Sequence, residues 1–451
     1  MTSSHPLKIL SPCPYFHACG GCDFLDLSEE SYRHLKKQSL EKYLINLGLE
    51  PRWLWVGVNS RRKINLQISD KNVVGFFSEK SNSIVEIEKC LTAEKEISEL
   101  ILPLKNFFKS QEQNLFTQVS ITLFDSGPDL IFSSKKPLNF SQTQKLTTFA
   151  KEKNFNISSR VKNDISPIFL VRKNQIFYHD FNPDPSLEFK KNFAKREQLE
   201  GNFASRTVSV PRYVRNAEVQ NSLPDAALSR NFAEENLHEN VPVSKMASKP
   251  TGSDSGENQI RSNDGSGLNP KFKINLDSDI FIQATKSGLE SITKIIREFL
   301  EKENWVKNVA DIYSGFGAYS FAIQDLVKSV SAFEGDEKMV TSLNKNAAAN
   351  NFGNKIKAET RDVFSDPLRA KELNKFDLVI VNPPRNGASP QISEISKSSL
   401  KNLIYVSCNP ESFARDSKIL TDNGFKITNL TALDQFYSTK HLELIAIFQK
   451  N

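Results

Sequence analysis

Five cysteines offer the most reactive side chains in this 451-residue chain, and four of them are spaced as a ligand set. Cys13, Cys19 and Cys22 crowd the front with spacings of x5 and x2, and Cys90 stands far downstream. In a reducing compartment, thiols gathered in this way bind a metal or a cluster before they form disulfides. Four soft thiolates suit either zinc or an iron–sulfur centre. The x5 interval before the short pair departs from the repeated CxxC of zinc ribbons. The fifth thiol, Cys408, stands apart in YVSCNP.

A second constellation suits a nucleoside-like cofactor. Asp311-Ile-Tyr313-Ser-Gly315-Phe-Gly317 closes a predicted strand with a glycine loop. Glycines let the backbone turn sharply and approach a ligand. The loop is neither GxGxxG nor a GK[ST] phosphate loop, so it suits a ligand without a pyrophosphate. Glu334 follows Gly317 by 17 residues and ends the next predicted strand. A carboxylate there can accept from both ribose hydroxyls. Asp362, after the third strand, can take a hydrogen of an adenine amino group. In this order on one domain, these groups favour S-adenosylmethionine.

Such groups need a scaffold that brings strand ends together. From about residue 270 strands and helices alternate: VKNVADIYSG, KSVSAFEG, KFDLVIVNPPR, NLIYVSCNP and HLELIAIFQ read as strands, AYSFAIQDLV and KMVTSLNKNAAANNF as helices. Near-continuous apolar strands between helices predict a doubly wound, Rossmann-like α/β sheet with its ligands at the carboxyl ends. The chain divides into an N-terminal cysteine and RNA-contacting region (1–100), an α+β middle domain (101–213), a flexible polar linker or insertion (214–268) and the cofactor domain (269–451). In the first region LSEESYRHLKKQSLEKYLINLG predicts a helix with Ser28 as N-cap and Gly48 as stop. The Ser, Gly, Asn, Asp and Pro content around 249–270 cannot build a core.

Composition sets outer limits. Hydrophobic residues make up 38% of the chain, enough for real cores, and no apolar run approaches the roughly 20 residues needed to span a bilayer. Mean hydropathy is -0.43. The first residues lack the apolar core and cleavage site of a secretory signal, so a cytoplasmic protein with no membrane partner is expected. The net charge of +6 permits an RNA partner without demanding one. Trp53 and Trp55, followed by Arg61, Arg62 and Lys63, supply rings for base stacking and cations for phosphates.

The chain resembles the S-adenosylmethionine-dependent RNA uracil-5-methyltransferases, in their iron–sulfur branch. The resemblance rests on CPYFHACGGC and IVEIEKC at the front, and on FIQAT, DIYSGFGAYSFA, NPPRNG, YVSCNP and DQFYSTKHLELI at the back. It implies a [4Fe-4S] cluster on Cys13, Cys19, Cys22 and Cys90. It further implies Cys408 as nucleophile, Glu443 as general base, and Gln283, the glycine loop, Glu334 and Asn382 around the cofactor. Arg385 and His441 fall on the substrate side. The iron–sulfur branch resembles enzymes acting on 23S ribosomal RNA; a tRNA is the alternative substrate. A monomer is expected. Some members carry an RNA-binding barrel ahead of the cluster; with 12 residues before Cys13, none is expected here.

The implied chemistry explains the residue types. Carbon 5 of uracil is a poor nucleophile. A thiolate adding to carbon 6 makes carbon 5 electron-rich, and a carboxylate then removes the carbon 5 hydrogen. The fork of Arg385 matches planar acceptors such as a phosphate or a uracil oxygen. Two residues depart from the family pattern: Asn382 stands where an aspartate is usual before PPR, and Thr285 where an asparagine is usual.

Overall fold

The computed structural model describes residues 7–161, 164, 167–172, 176–178 and 273–450. The expected polar linker, 214–268, and the expected middle domain beyond residue 178 lie outside the described residues.

Helix α1 (Glu29–Leu44) begins where the Ser28 side chain accepts from the Ser31 N–H at 3.3 Å. A short 3-10 turn follows, and Gly48 ends it in the left-handed region at φ 62°. Both boundaries match the expectation because caps are local chemistry. Then come β1 (Arg52–Trp55), β2 (Lys63–Ile68), β3 (Val74–Phe77), β4 (Ile84–Glu86), α2 (Lys95–Lys109), β5 (Phe116–Phe124), β6 (Gly127–Ser134), α3 (Phe140–Lys153), β7 (Asn156–Val161), β8 (Ile168–Val171) and β9 (Ile176–Tyr178). Strands β2 to β8 form one sheet in the order β4-β3-β2-β5-β6-β7-β8. Its pairs are antiparallel except β6 and β7, which run parallel because α3 carries the chain back between them. Leu66, Ile97, Leu104, Phe108 and Phe132 fill the core beneath it.

After β10 (Ile274–Leu276) the alternation begins: α4 (Lys286–Lys302), β11 (Asn308–Ile312), α5 (Ala318–Ala322), β12 (Ser329–Glu334), α6 (Glu337–Ala349), β13 (Ile356–Thr360), α7 (Ala370–Leu373), β14 (Leu378–Val381), α8 (Ser389–Lys397), β15 (Asn402–Ser407), α9 (Pro410–Asp422), β16 (Phe425–Asp434) and β17 (Glu443–Lys450). The sheet order is β1-β16-β17-β15-β14-β11-β12-β13. This is the doubly wound, Rossmann-like sheet that the apolar strands predicted. Every residue of β14 and β15 is buried, as befits strands covered on both faces. Helix α4 turns Leu289, Ile292, Ile296 and Phe299 inward at intervals of three and four residues.

Two features differ from the sequence reading. Helix α5 stops at Ala322, short of the AYSFAIQDLV segment; the Ala322 carbonyl, which a longer helix would use, accepts from the Arg297 guanidinium at 2.7 Å. Strand β1, from the N-terminal region, pairs parallel with β16 at the edge of the cofactor sheet. Periodicity marks a strand but does not name its partner. Strand β17 runs antiparallel to both β15 and β16. Among the described residues, no helix is long and apolar enough to cross a membrane.

Candidate active site

The strand order reverses between β11 and β14, and a crevice opens there beyond the carboxyl ends. It holds a cavity of about 930 Å³. Gln283, Tyr313, Gly315, Glu334, Asp362, Asn382, Arg385, Cys408, His441 and Glu443 all line it, as do Arg61 and Lys63. These residues span most of the chain, and Tyr313, Glu334, Asn382 and Cys408 meet because each ends or directly follows a parallel strand of the cofactor sheet.

The cofactor end is built on β11 and β12. Tyr313, Gly315 and Gly317 hold positive φ angles of 61°, 56° and 87°. For Gly317 this is a requirement twice over, since a Cβ there would meet Leu343 Cδ1 at 2.8 Å. Asp311 is not in the cavity wall. It is fully buried, and its Oδ2 accepts from the Ser320 N–H at 3.1 Å and the Ser320 hydroxyl at 2.6 Å. It thus ties the start of the glycine loop to α5, and burial pushes its carboxyl up to about 7. Glu334 ends β12 and faces the cavity. Its two oxygens accept from the Gly315 N–H at 2.9 Å and the Asp336 N–H at 3.0 Å. Each carboxylate oxygen keeps a second lone pair, so ribose hydroxyls can still be accepted. Asp362 is exposed at the rim. Hydrogen bonds from the Ser365 hydroxyl and from the Ser365 and Phe364 N–H groups hold its carboxyl below the usual range. The Tyr313 hydroxyl is buried without a hydrogen-bond partner. A crevice with an open ribose acceptor, an ionised rim carboxylate and an apolar floor fits S-adenosylmethionine.

Asn382 follows β14 and its amide donates to the Tyr319 hydroxyl at 3.3 Å. A carboxylate here would accept from that hydroxyl instead, so the departure reverses one hydrogen bond. The other departure is conservative in effect. Thr285 caps α4, its hydroxyl accepting from the Gly288 N–H at 2.9 Å, a task that Thr and Asn share.

The reactive end is built on β15 and β17. Cys408 directly follows β15 and Glu443 opens β17. With Ser407 paired opposite Leu444 in an antiparallel register, the end of one strand meets the start of the other. Burial pushes the Cys408 thiol up, and the Glu443 charge adds to this. The Arg385 guanidinium, by its charge and a hydrogen bond, opposes both. Burial pushes the Glu443 carboxyl up to about 7, while the Gln435 amide, donating at 2.8 Å, pulls it back. Burial, helped by the charges of Arg385 and Lys36, keeps His441 below its ordinary value. A thiol beside a guanidinium and a carboxyl poised near neutrality can serve as nucleophile and as acid or base. Gln435, Tyr319 and Phe436 also line this cavity. Sequence reasoning assigned none of them a role, although Gln435 and Phe436 sit inside the quoted DQFYSTKHLELI.

Arg62 is not in the cavity. It is buried, its Nε donates to the Leu123 carbonyl at 3.0 Å, and it pairs with Asp125 at 3.5 Å. Arg61 and Lys63 reach the cavity and Arg62 does not because neighbours in extended chain point to opposite faces. Trp53 and Trp55 stack on one another with centroids 4.9 Å apart, and Arg33 covers Trp55 at 5.1 Å.

All five cysteines are free thiols. Among the described residues, no three His, Cys, Asp or Glu side chains are placed to hold a metal ion. Cys13, Cys19, Cys22 and Cys90 nonetheless come near enough to sense one another's charge. Burial pushes Cys22 up to about 12, and the charges of Cys90, Cys13 and Cys19 add to this while Arg61 opposes it. Cys13 and Cys19 are raised in the same way, by burial first and by Cys90 among their neighbours.

Residues 269–451 match the model of the tRNA (uracil-5-)-methyltransferase family. An uncharacterized RNA methyltransferase of Rhizobium meliloti is 40% identical over 171 residues, 38% of this chain and 40% of its own. The chain thus spans about two fifths of the length of that relative, and of similar ones from Mesorhizobium and Agrobacterium. A protein of Shewanella sp. named 23S rRNA (uracil(1939)-C(5))-methyltransferase is 24% identical over 98% of this chain and 82% of its own. The structure of the Pyrococcus abyssi tRNA (uracil-54, C5)-methyltransferase with S-adenosyl-L-homocysteine has the same fold, with a TM-score of 0.61 at 20% identity over 96% of this chain and 86% of that one.

Proposed function

We propose that this chain, a member of the RNA uracil-5-methyltransferase family, methylates carbon 5 of a uridine in RNA through a covalent adduct on Cys408. The observation that carries the reading is the meeting of Cys408, Arg385 and Glu443 in the cavity that also holds the glycine loop and Glu334. The Cys408 Sγ forms a bond to carbon 6 of the uracil, and Arg385 lowers the cost of the thiolate. Gln283, Gly315, Glu334 and Asp362 would hold S-adenosylmethionine, which would supply the methyl group to carbon 5 and leave as S-adenosylhomocysteine. Glu443 takes the carbon 5 hydrogen as a proton, and the carbon 6–sulfur bond breaks to return the thiolate. Glu443 is buried and Cys408 half-buried, so charge at the reactive end counts for more than in solvent.

The substrate of this reading is 23S ribosomal RNA, supported by the Shewanella relative that aligns along nearly the whole chain. The uridine leaves its stack to reach Cys408, and Arg61 and Lys63 at the cavity wall take phosphates. The four N-terminal thiols hold a [4Fe-4S] cluster in this reading. Their spacing supports this, and Cys13, Cys19 and Cys22 lie near enough to Cys90 to feel its charge. The cluster is structural here, since four protein ligands leave no open iron. The enzyme acts as a monomer in the cytoplasm.

Covalent trapping is the test. RNA containing 5-fluorouridine cannot lose its carbon 5 substituent as a proton, so the wild-type protein becomes cross-linked to it. Cys408→Ala must neither cross-link nor form 5-methyluridine; full activity in that variant refutes the assignment. Mapping 5-methyluridine by mass spectrometry in ribosomal and transfer RNA, with and without the gene, separates the two substrates. Iron and sulfide content of protein purified without oxygen tests the cluster, with zinc as the result that overturns it.

A further inference from the structure

Lys36 is an ammonium group buried within the fold, its side chain 1% exposed. Lysine is rarely so buried unless its charge is paired. Its Nζ reaches three acceptors: the Asp434 carboxylate at 3.1 Å, the Thr439 carbonyl at 2.7 Å and the His441 carbonyl at 2.5 Å. These acceptors stand at both ends of the segment joining β16, which ends at Asp434, to β17, which opens at Glu443. Tyr32 lies one turn earlier on the same helix, on the same face. Its hydroxyl donates to the Asp434 carboxylate at 2.5 Å and accepts from the Ser438 N–H at 3.1 Å. Two side chains of α1 therefore grip the beginning, middle and end of one loop.

That loop carries Gln435, Phe436 and His441 to the cavity wall, and Gln435 donates to Glu443. Neither Lys36 nor Tyr32 lines the cavity. The segment after Cys22 adds a second grip. The Asp23 and Phe24 N–H groups donate to the Ser438 carbonyl at 2.7 and 3.2 Å, and the Lys440 N–H donates to the Asp23 carboxylate at 3.1 Å. Apolar side chains of similar volume would hold helix and loop together at least as well as a buried ion pair. What they would not do is fix two main-chain carbonyls in place.

We propose that Lys36 and Tyr32 are positioning residues for the proton-abstraction step, clamping residues 434–443 from behind so that Gln435 and Glu443 stay set against Cys408. The proposal rests on the uridine-methylation reading above. It separates the two ends of the site: the cofactor end, on β11 and β12, is independent of the clamp, whereas the base is not.

The test uses full-length Lys36→Met and Tyr32→Phe, the latter keeping the ring and removing only the hydroxyl. Cofactor affinity is measured by calorimetry, cross-linking with 5-fluorouridine-substituted 23S RNA transcript, and turnover with the unsubstituted transcript. Both variants should bind S-adenosylmethionine within about twofold of wild type and still cross-link to the fluorinated RNA. A displacement of the base of the order of 1 Å should lower kcat roughly 10- to 100-fold in Lys36→Met, and less in Tyr32→Phe, with unresolved protein–RNA adduct accumulating on the normal transcript. If Lys36→Met folds too poorly to assay, Tyr32→Phe alone decides. Wild-type turnover in Tyr32→Phe overturns the clamp, and so does an equal loss of cofactor binding and turnover. Absence of cross-linking by the wild-type protein is a different result: it removes the parent reading.

Discussion

Replacing Glu443 by glutamine should abolish proton abstraction and yet make the protein more stable above neutral pH. Glu443 is buried, and its carboxyl is pushed from 4.5 up to about 7 by burial, with the Gln435 amide only partly offsetting this. A tenfold change in acidity is worth about 1.4 kcal/mol, so the ionised form costs the native state roughly 3 kcal/mol. Between the two pKa values the folded protein keeps a proton that the unfolded chain has already released. The stability owed to that proton is whole below 4.5, declines as pH rises, and is gone above about 7. The glutamine of the Glu443→Gln variant does not titrate, and its amide oxygen can still accept from Gln435. The stability of Glu443→Gln minus that of wild type should therefore grow by roughly 2–3 kcal/mol between about pH 5 and about pH 8.5. Asp129 and Asp311, also raised by burial to about 7, titrate in both proteins and cancel in the difference. Urea unfolding of both proteins at the two pH values reads this directly. A difference that does not change with pH, or a variant less stable at pH 8.5, would refute the buried-charge reasoning. The same variant should accumulate the covalent RNA adduct, which denaturing gels would show.

Four further outcomes follow from the geometry. In rapid-quench experiments, decay of the adduct should rise about tenfold per pH unit below about 7 and level off above it, as Glu443 ionises; adduct formation should keep rising into alkaline pH, because burial pushes Cys408 up. Gly317→Ala should lower stability by roughly 2–5 kcal/mol in urea unfolding, since the left-handed backbone costs roughly 1–2 kcal/mol and crowding against Leu343 about 1–3 more; unchanged stability would refute the strain at this turn. Lys63→Ala should weaken RNA binding and flatten its salt dependence by about one charge. Arg62→Met should instead leave the salt slope unmoved, because Arg62 is buried against the Leu123 carbonyl and Asp125 and does not face the cavity.

Much of the site was legible because its residues lie in short segments whose chemistry is local. The glycine loop, the strand-end Glu334 and Asp362 gain meaning from their order on one domain, the Cys408 segment from a family resemblance, and apolar strands fixed the kind of sheet that would join them. The pieces that escaped are those whose meaning depends on distant partners. Arg62 sits between two cavity residues in sequence and on the far side of the chain in space. Gln435 stands within a quoted motif, but only its 2.8 Å contact with Glu443 gives it a task. Thr285 reads as a departure until it is seen to cap α4 as an asparagine would.

Sequence alone determined the elements and the form of the glycine loop, because caps and hydrophobic period act over a few residues, and a family resemblance named Cys408 and Glu443 as candidates. Tertiary structure decided which groups become neighbours. Antiparallel β17 brings Glu443 to the edge where parallel β15 delivers Cys408, and Lys36 in α1 reaches across some 400 positions to hold the loop between them. Such contacts come from register and burial across elements far apart in the chain, and no local pattern carries that information.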